Sequence, residues 1–292
     1  LLPSSFLLPP SSLSILLLAI DIDGTLLDSR GRLPAANADA IRCAIASGVT
    51  VVLATGRRYD FARPIFERLP APLVLILSNG AIVKTDDGTT VVRHLLPREV
   101  AHDVLRRVPE YRDGAAVVFD RPRDRQVVFE TIDWDHPRHA RFFASNRPFL
   151  GSSSPLEDCL TEDPIQVMFS GGCREMREVF ARLQDGPAEE SRPYEVALTE
   201  YEHRDFSLVD VIREGCSKGS ALAELAASLG IPASDVMAVG DNLNDLPMLE
   251  FAGRPVLMAN ALPELKARGW DMTSSNDDAG VARAIEAFVL GL

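Results

Sequence analysis

A chain of 292 residues exceeds the usual span of one compact domain, roughly 100–200 residues, so one large domain or two modest ones are expected. With 46% hydrophobic residues and a formal net charge of −12, the composition suits a sizeable core and argues against a nucleic-acid surface, which would gather Lys and Arg on a basic face. The four cysteines, Cys43, Cys159, Cys173 and Cys216, make no C-x-x-C pair, so they suggest neither a zinc ribbon nor a disulfide framework and fit a reducing, cytoplasmic compartment.

Residues 1–15 are apolar but broken by Pro3, Pro9 and Pro10 and lack a basic start. They read as a disordered N-terminal extension rather than a secretory signal. No stretch reaches the ~18 uninterrupted apolar residues of a membrane span, so no membrane partner is expected. The run Leu16-Leu17-Leu18-Ala19-Ile20 suits a strand buried on both faces, and it ends in Asp21-Ile22-Asp23-Gly24-Thr25. In an open parallel sheet the carboxyl ends of the strands are where ligands bind, which gives such carboxylates a reason to be there. A helix at 33–47 closed by Gly48, a strand at 49–54 running into Thr55-Gly56-Arg57, a helix at 59–69 and a strand at 73–77 continue a parallel β-α-β-α-β series.

From Ser78-Asn79-Gly80-Ala81 the pattern changes. Short strands at 81–84 and 90–94 flank Asp86-Asp87-Gly88, a hairpin signal. A helix at 98–107, strands at 115–119 and 126–131, a helix at 136–144, a loop at 151–155, a strand at 165–170, a helix at 175–183 and strands at 194–198 and 206–212 make a mixed, partly antiparallel module. The opening pattern returns at Lys218, with a helix at 219–229 and a strand at 236–239 ending in Gly240-Asp241-Asn242-Leu243-Asn244-Asp245. A helix at 246–252, a strand at 255–258 and helices at 262–267 and 279–290 complete the series. The fold class is therefore α/β: a doubly wound, Rossmann-like parallel sheet core at 16–84 and 213–292, with an inserted α+β cap domain at 85–212.

Three strand ends thus carry Asp21 and Asp23, Thr55, and Asp241 with Asn244 and Asp245 to one edge, with Lys218 opening a helix beside them. Carboxylates crowded together repel unless a cation neutralises them. Oxygen donors without nearby His or Cys favour Mg2+ over Zn2+. Metal and lysine together would shield a carboxylate attacking phosphorus. Taken singly, Thr55 and Asn244 read equally well as helix caps, Lys218 as a surface lysine, and Arg57 either as a substrate contact or as a carboxylate's partner. In the insertion, Asp133-Trp134-Asp135-His136-Pro137-Arg138-His139 reads as a surface loop rather than a second metal site, Ser170-Gly171-Gly172-Cys173 as a strand-to-helix turn, and His203-Arg204 as part of a polar loop at 199–205.

Asp21-Ile22-Asp23-Gly24-Thr25-Leu26, Ala54-Thr55-Gly56-Arg57, Lys218-Gly219 and Gly240-Asp241-Asn242-Leu243-Asn244-Asp245 resemble, in order, the four motifs of the haloacid dehalogenase superfamily. Ser78-Asn79-Gly80-Ala81 and Met258-Ala259-Asn260-Ala261 resemble its Cof-type subfamily IIB. The resemblance implies a Mg2+-dependent phosphatase of a small phosphorylated metabolite, a sugar phosphate or a nucleotide- or flavin-related phosphate, under a cap that selects the substrate. Asp21 would be the nucleophile and Asp23 the general acid and base. Asp21, the backbone carbonyl of Asp23 and the side chain of Asp241 would hold Mg2+. Thr55, Gly56, Arg57, Lys218 and Asn244 would bind substrate phosphate, with Asp245 orienting Lys218. An acid at Asp23 favours hydrolysis over a retained phospho-enzyme. A phosphomutase on the same scaffold is the alternative, and a non-catalytic phosphate-binding module a more distant one.

Overall fold

The computed structural model describes residues 15–122, 124–136, 140–185, 192–202 and 205–292. All but the last residue of the expected N-terminal extension, residues 137–139 and the His203-Arg204 pair lie outside them. The chain divides into two units, one running to Arg93 and resuming at Ser217, the other His94–Cys216.

The first unit begins with β1 (Leu17–Asp21), α1 (Ala35–Ala46), β2 (Thr50–Ala54), α2 (Tyr59–Phe66) and β3 (Val74–Leu77). The hairpin β4 (Ile82–Thr85) and β5 (Thr90–Arg93) follows. The second unit contains α3 (Arg98–Arg107), β6 (Ala115–Val118), β7 (Val127–Phe129), α4 (Ala140–Asn146), β8 (Leu150–Ser152), β9 (Gln166–Gly171), α5 (Cys173–Gln184), β10 (Tyr194–Tyr201) and β11 (Phe206–Arg213). The chain then returns to the first unit with α6 (Lys218–Leu229), β12 (Val236–Gly240), α7 (Leu246–Phe251), β13 (Arg254–Leu257), α8 (Pro263–Lys266), β14 (Asp271–Met272) and α9 (Gly280–Ile285).

The strands of the first unit form an eight-stranded sheet ordered β14-β13-β12-β1-β2-β3-β4-β5. It is parallel from β14 to β3 and antiparallel across β3, β4 and β5. Alternation along the strands sends Leu17, Ala19, Val52, Ala54, Val236 and Ala238 into one core cluster with Leu222 and Leu225 of α6 and Met248 and Leu249 of α7. Leu18, Ile20, Val51, Leu53, Met237 and Val239 point the other way and are equally buried, so no residue of β1 has a wet side. That is why the opening run is apolar without alternation. The last helix ends in a π-turn over Glu286–Leu290, within what the sequence suggests is one longer helix.

In the second unit a six-stranded sheet, β10-β11-β9-β6-β7-β8, is antiparallel except for the parallel β7–β8 pair. Helix α5 packs on β9, β10 and β11. The turn before it carries Gly172 as N-cap, and the Cys173 amide donates to Asp205 Oδ1 at 3.1 Å, so the chain supplies its own anion at that helix start.

Several expectations shift. The boundaries expected at 84/85 and 212/213 fall at 93/94 and 216/217, because β5 pairs with β4 inside the first sheet and β11 runs on through Arg213. Strand β8 occupies part of the stretch expected to be a loop, and β14 was not anticipated; at two and three residues, neither is long enough to show a period. Strand β10 continues into the expected polar loop because Thr199 and Glu200 pair with Leu208 and Ser207. Pairing with a neighbour overrides polarity there. Among the described residues, no helix is long and apolar enough to cross a membrane.

Candidate active site

Strand order assembles the site. Because β1 lies between β2 and β12, the carboxyl end of β1 meets those of two strands far away in sequence. Asp21 closes β1, with Thr55 just past β2 on one side and Asp241 just past β12 on the other.

The turn after β1 is tight. Gly24 sits at φ +87°, and a Cβ there would overlap the Asp241 carboxylate, so only glycine lets the loop lie against that group. Thr25 Oγ1 donates to Asp241 Oδ1 at 2.8 Å. Two asparagines brace the loop from behind. Asn260 Nδ2 donates to the Gly24 carbonyl at 2.8 Å, and Asn37 Nδ2 donates to the Leu26 carbonyl at 2.9 Å while its Oδ1 accepts from the Ala282 amide.

Lys218 is the first residue of α6, whose N-cap Ser217 accepts from the Ser220 amide, and its side chain is fully buried. Lys218 Nζ donates to Asp21 Oδ1 at 2.7 Å and to Asp245 Oδ1 at 2.6 Å. The other Asp245 oxygen accepts from the amides of Asp241 and Asn242 at 2.9 and 3.0 Å. Both Asp245 oxygens are therefore engaged with the chain itself, one on the lysine and one on the loop carrying Asp241. Asp21 differs: its Oδ1 meets Lys218, while its Oδ2 is buried and has no hydrogen-bond partner among the described residues.

Charge is unbalanced in this cluster. Oxygens of Asp21, Asp241 and Asp245 lie within 4.8 Å of one another, against one lysine. Burial, reinforced by Asp245, pushes the Asp21 carboxyl up to about 7 despite Lys218. Burial and the neighbouring Asp21 and Asp245 raise Asp241 well above the usual carboxylate range. For Lys218, burial opposes the charge but Asp21 and Asp245 outweigh it, so the ammonium is held above its ordinary value.

Asp23 stands apart from this cluster. Its carboxylate is partly exposed and held at both oxygens by Arg57, Nε to Oδ2 at 2.7 Å and Nη2 to Oδ1 at 2.6 Å. The guanidinium also lies over the Phe61 ring at 4.3 Å. The Arg57 amide donates to Thr55 Oγ1 at 3.1 Å, so the hydroxyl of buried Thr55 also shapes its own loop. Arg57 thus pairs with a carboxylate, one of the two readings its position allows. Asn244 Nδ2 donates to Asn79 Oδ1 at 3.0 Å, a partner sequence reasoning did not assign a role. The signal available was an Asn-Gly pair immediately after a strand end.

The family model for haloacid dehalogenase-like hydrolases matches residues 18–285. The phosphatase YwpJ of Bacillus subtilis is 29% identical over 92% of this chain and 98% of its own length. A second protein of that organism, the 5-amino-6-(5-phospho-D-ribitylamino)uracil phosphatase YwtE, is 27% identical over 94% of this chain and 98% of its own. Among solved structures, a haloacid dehalogenase-like hydrolase from B. subtilis superposes with a TM-score of 0.78 at 25% identity, covering 94% of this chain and all of that one.

Proposed function

The chain belongs to the haloacid dehalogenase-like hydrolases and is a phosphoric monoester hydrolase, and on that premise we propose that it hydrolyses a small phosphorylated metabolite through an aspartyl-phosphate on Asp21 with Mg2+ as cofactor. The observation that carries this reading is the buried, unpartnered Oδ2 of Asp21 beside an oxygen already held by Lys218. An idle buried carboxylate oxygen is costly, and a nucleophile or ligand role accounts for it.

The donor set fits a hard divalent cation. The cluster offers carboxylate oxygens only, carries more negative than positive charge, and has two carboxyls driven upward by burial and by one another. Asp21, the Asp241 side chain and the backbone carbonyl of Asp23 would hold Mg2+. When bound, Mg2+ would neutralise charge on the phosphoryl oxygens and keep Asp21 ionised near neutral pH.

The chain's own groups do the rest. Lys218 fixes Asp21 through one oxygen, leaving the other to attack phosphorus as the bond to the leaving oxygen breaks. Its ammonium also offsets the charge developing on the transferring group. Asp23 gives its proton to the leaving oxygen and later takes one from the water that cleaves the aspartyl-phosphate. Arg57 engages both oxygens of the Asp23 carboxyl and sets its plane, so one of them has to be released before Asp23 can reach the leaving oxygen. Thr55, the Gly56 backbone and Asn244 receive phosphoryl oxygens, while Asp245 keeps Lys218 aimed.

The relatives support a choice of substrate class. One of the similar phosphatases acts on a phosphorylated ribitylamino-uracil, so polyol and sugar phosphates, some carrying a heterocycle, head the candidates. Phosphate release from a panel of such compounds in Mg2+, abolished by Asp21→Asn, is the expected result. Silence across the panel with a folded protein would overturn the proposal.

A further inference from the structure

The turn after β3 holds three consecutive residues with left-handed backbone: Ser78 at φ 47°, Asn79 at 54° and Gly80 at 106°. Left-handed backbone is uncommon outside glycine, and asparagine is among the few side chains that tolerate it. Asn79 is only 1% exposed, so the turn is built inward rather than presented to solvent.

What the turn touches explains the arrangement. The Asn79 amide donates to the Thr55 carbonyl and the Ser78 amide to the Arg57 carbonyl, both at 3.0 Å. A Cβ at Gly56 would lie 3.3 Å from both terminal atoms of the Asn79 side chain, so that side chain lies against the bare backbone of Gly56. Its Oδ1 accepts from Asn244 Nδ2 at 3.0 Å. Gly80 lies against the carbonyl of Ser217, the residue before Lys218, where a Cβ would overlap it. One short turn therefore braces the loop after β2, the loop after β12 and the start of α6.

We propose that Asn79 is a positioning residue for phosphoryl transfer: its side chain, held by the left-handed turn, orients the Asn244 amide toward the phosphoryl group and fixes the Thr55-Gly56 loop opposite. The inference rests on the phosphatase reading in which Asn244 meets the phosphoryl oxygens. A carboxamide with one terminal atom held by a neighbour has a set plane, so its remaining donor points one way. Binding and catalysis depend on such orientation because a misplacement of about 1 Å costs on the order of 100-fold.

The test uses the full chain with Asn79→Gly, Asn244→Ala and the double variant. Glycine is at ease at φ 54°, so Asn79→Gly removes the side chain without straining the turn. Turnover of p-nitrophenyl phosphate in Mg2+, calorimetric binding of inorganic phosphate and the thermal midpoint are read for each. The expected result is a loss of about 10- to 100-fold in kcat/KM for each single variant, weaker phosphate binding, a nearly unchanged midpoint for Asn79→Gly, and a double variant little worse than Asn244→Ala alone, because the two act as one unit. Losses that multiply in the double variant, or unchanged phosphate affinity in Asn79→Gly, would overturn the proposal. Silence of the unmodified protein toward p-nitrophenyl phosphate and across the metabolite panel would instead overturn the proposed phosphoryl transfer, while phosphate affinity still judges Asn79.

Discussion

Replacing Asp21 with asparagine should make the protein more stable in EDTA at pH 8. The Asp21 carboxyl is raised from an ordinary 3.8 to about 7, chiefly by burial and by Asp245. A carboxyl that holds its proton more tightly in the folded chain than in the unfolded one favours the fold below about pH 4, and that contribution is lost as pH rises through about 7. A difference of about three in pKa corresponds to about 4 kcal/mol. The asparagine side chain cannot ionise, so the variant escapes this loss, although Lys218 keeps only Asp245 as a direct partner and part of the gain is forfeited. Thermal or urea denaturation at pH 5 and pH 8, with EDTA or with Mg2+, reads the effect. Near pH 5 in EDTA, inside the window between the two pKa values, the variant's lead should be smaller than at pH 8. At pH 8 in EDTA the variant should be ahead by about 2–4 kcal/mol, on the order of 10 °C for a chain of this size. Mg2+ at pH 8 should raise the unmodified protein and leave the variant almost unmoved, since only the former keeps the full ligand set. A variant less stable than its parent in EDTA at pH 8 would refute the reasoning, because the Lys218–Asp21 attraction would then outweigh the cost of burying the charge.

Other outcomes follow from the same geometry. Lys218→Met strands Asp21 and Asp245 in a buried site without their cation, so urea denaturation at pH 8 in EDTA should show a loss of about 3–5 kcal/mol; a loss below about 1 kcal/mol would mean that the lysine is dispensable to the fold. Gly24→Ala drives a methyl into the Asp241 carboxylate at a backbone angle alanine resists, and kcat should fall about 100-fold; steady-state kinetics at the parental level would show that the loop shifts freely. Burial pushes the Cys159 thiol up to about 11, whereas Cys43 is exposed, so iodoacetamide at pH 8 followed by peptide mapping should find Cys43 alkylated and Cys159 protected until the chain is unfolded. Equal labelling of both in the native protein would contradict the packing described.

Much of the candidate site was legible because its residues stand at strand ends. Asp21, Asp241 and Lys218 follow or open elements whose apolar pattern is unmistakable, and a parallel sheet brings such ends to one edge. Partners across loops were less legible. Nothing local shows that Arg57 reaches Asp23 and lies over Phe61, since a long side chain has many neighbours within reach. The role of the Ser78-Asn79-Gly80 turn was hidden for a related reason: an Asn-Gly pair after a strand marks a turn but not the identity of its neighbours.

By itself the sequence determined a buried parallel core, a large, partly antiparallel module set within it, and an oxygen-rich cluster with a lysine beside it. These follow from periodicity and composition, which are local properties of the chain. Only the tertiary structure decided which oxygen of each carboxylate is committed. Lys218 reaches Asp21 across 197 positions of sequence and Thr25 reaches Asp241 across 216, and those contacts leave Asp21 Oδ2 buried and without a partner among the described residues. Hydrogen-bond partners depend on strand order and on backbone placement finer than an ångström, and neither is written in any short stretch of residues.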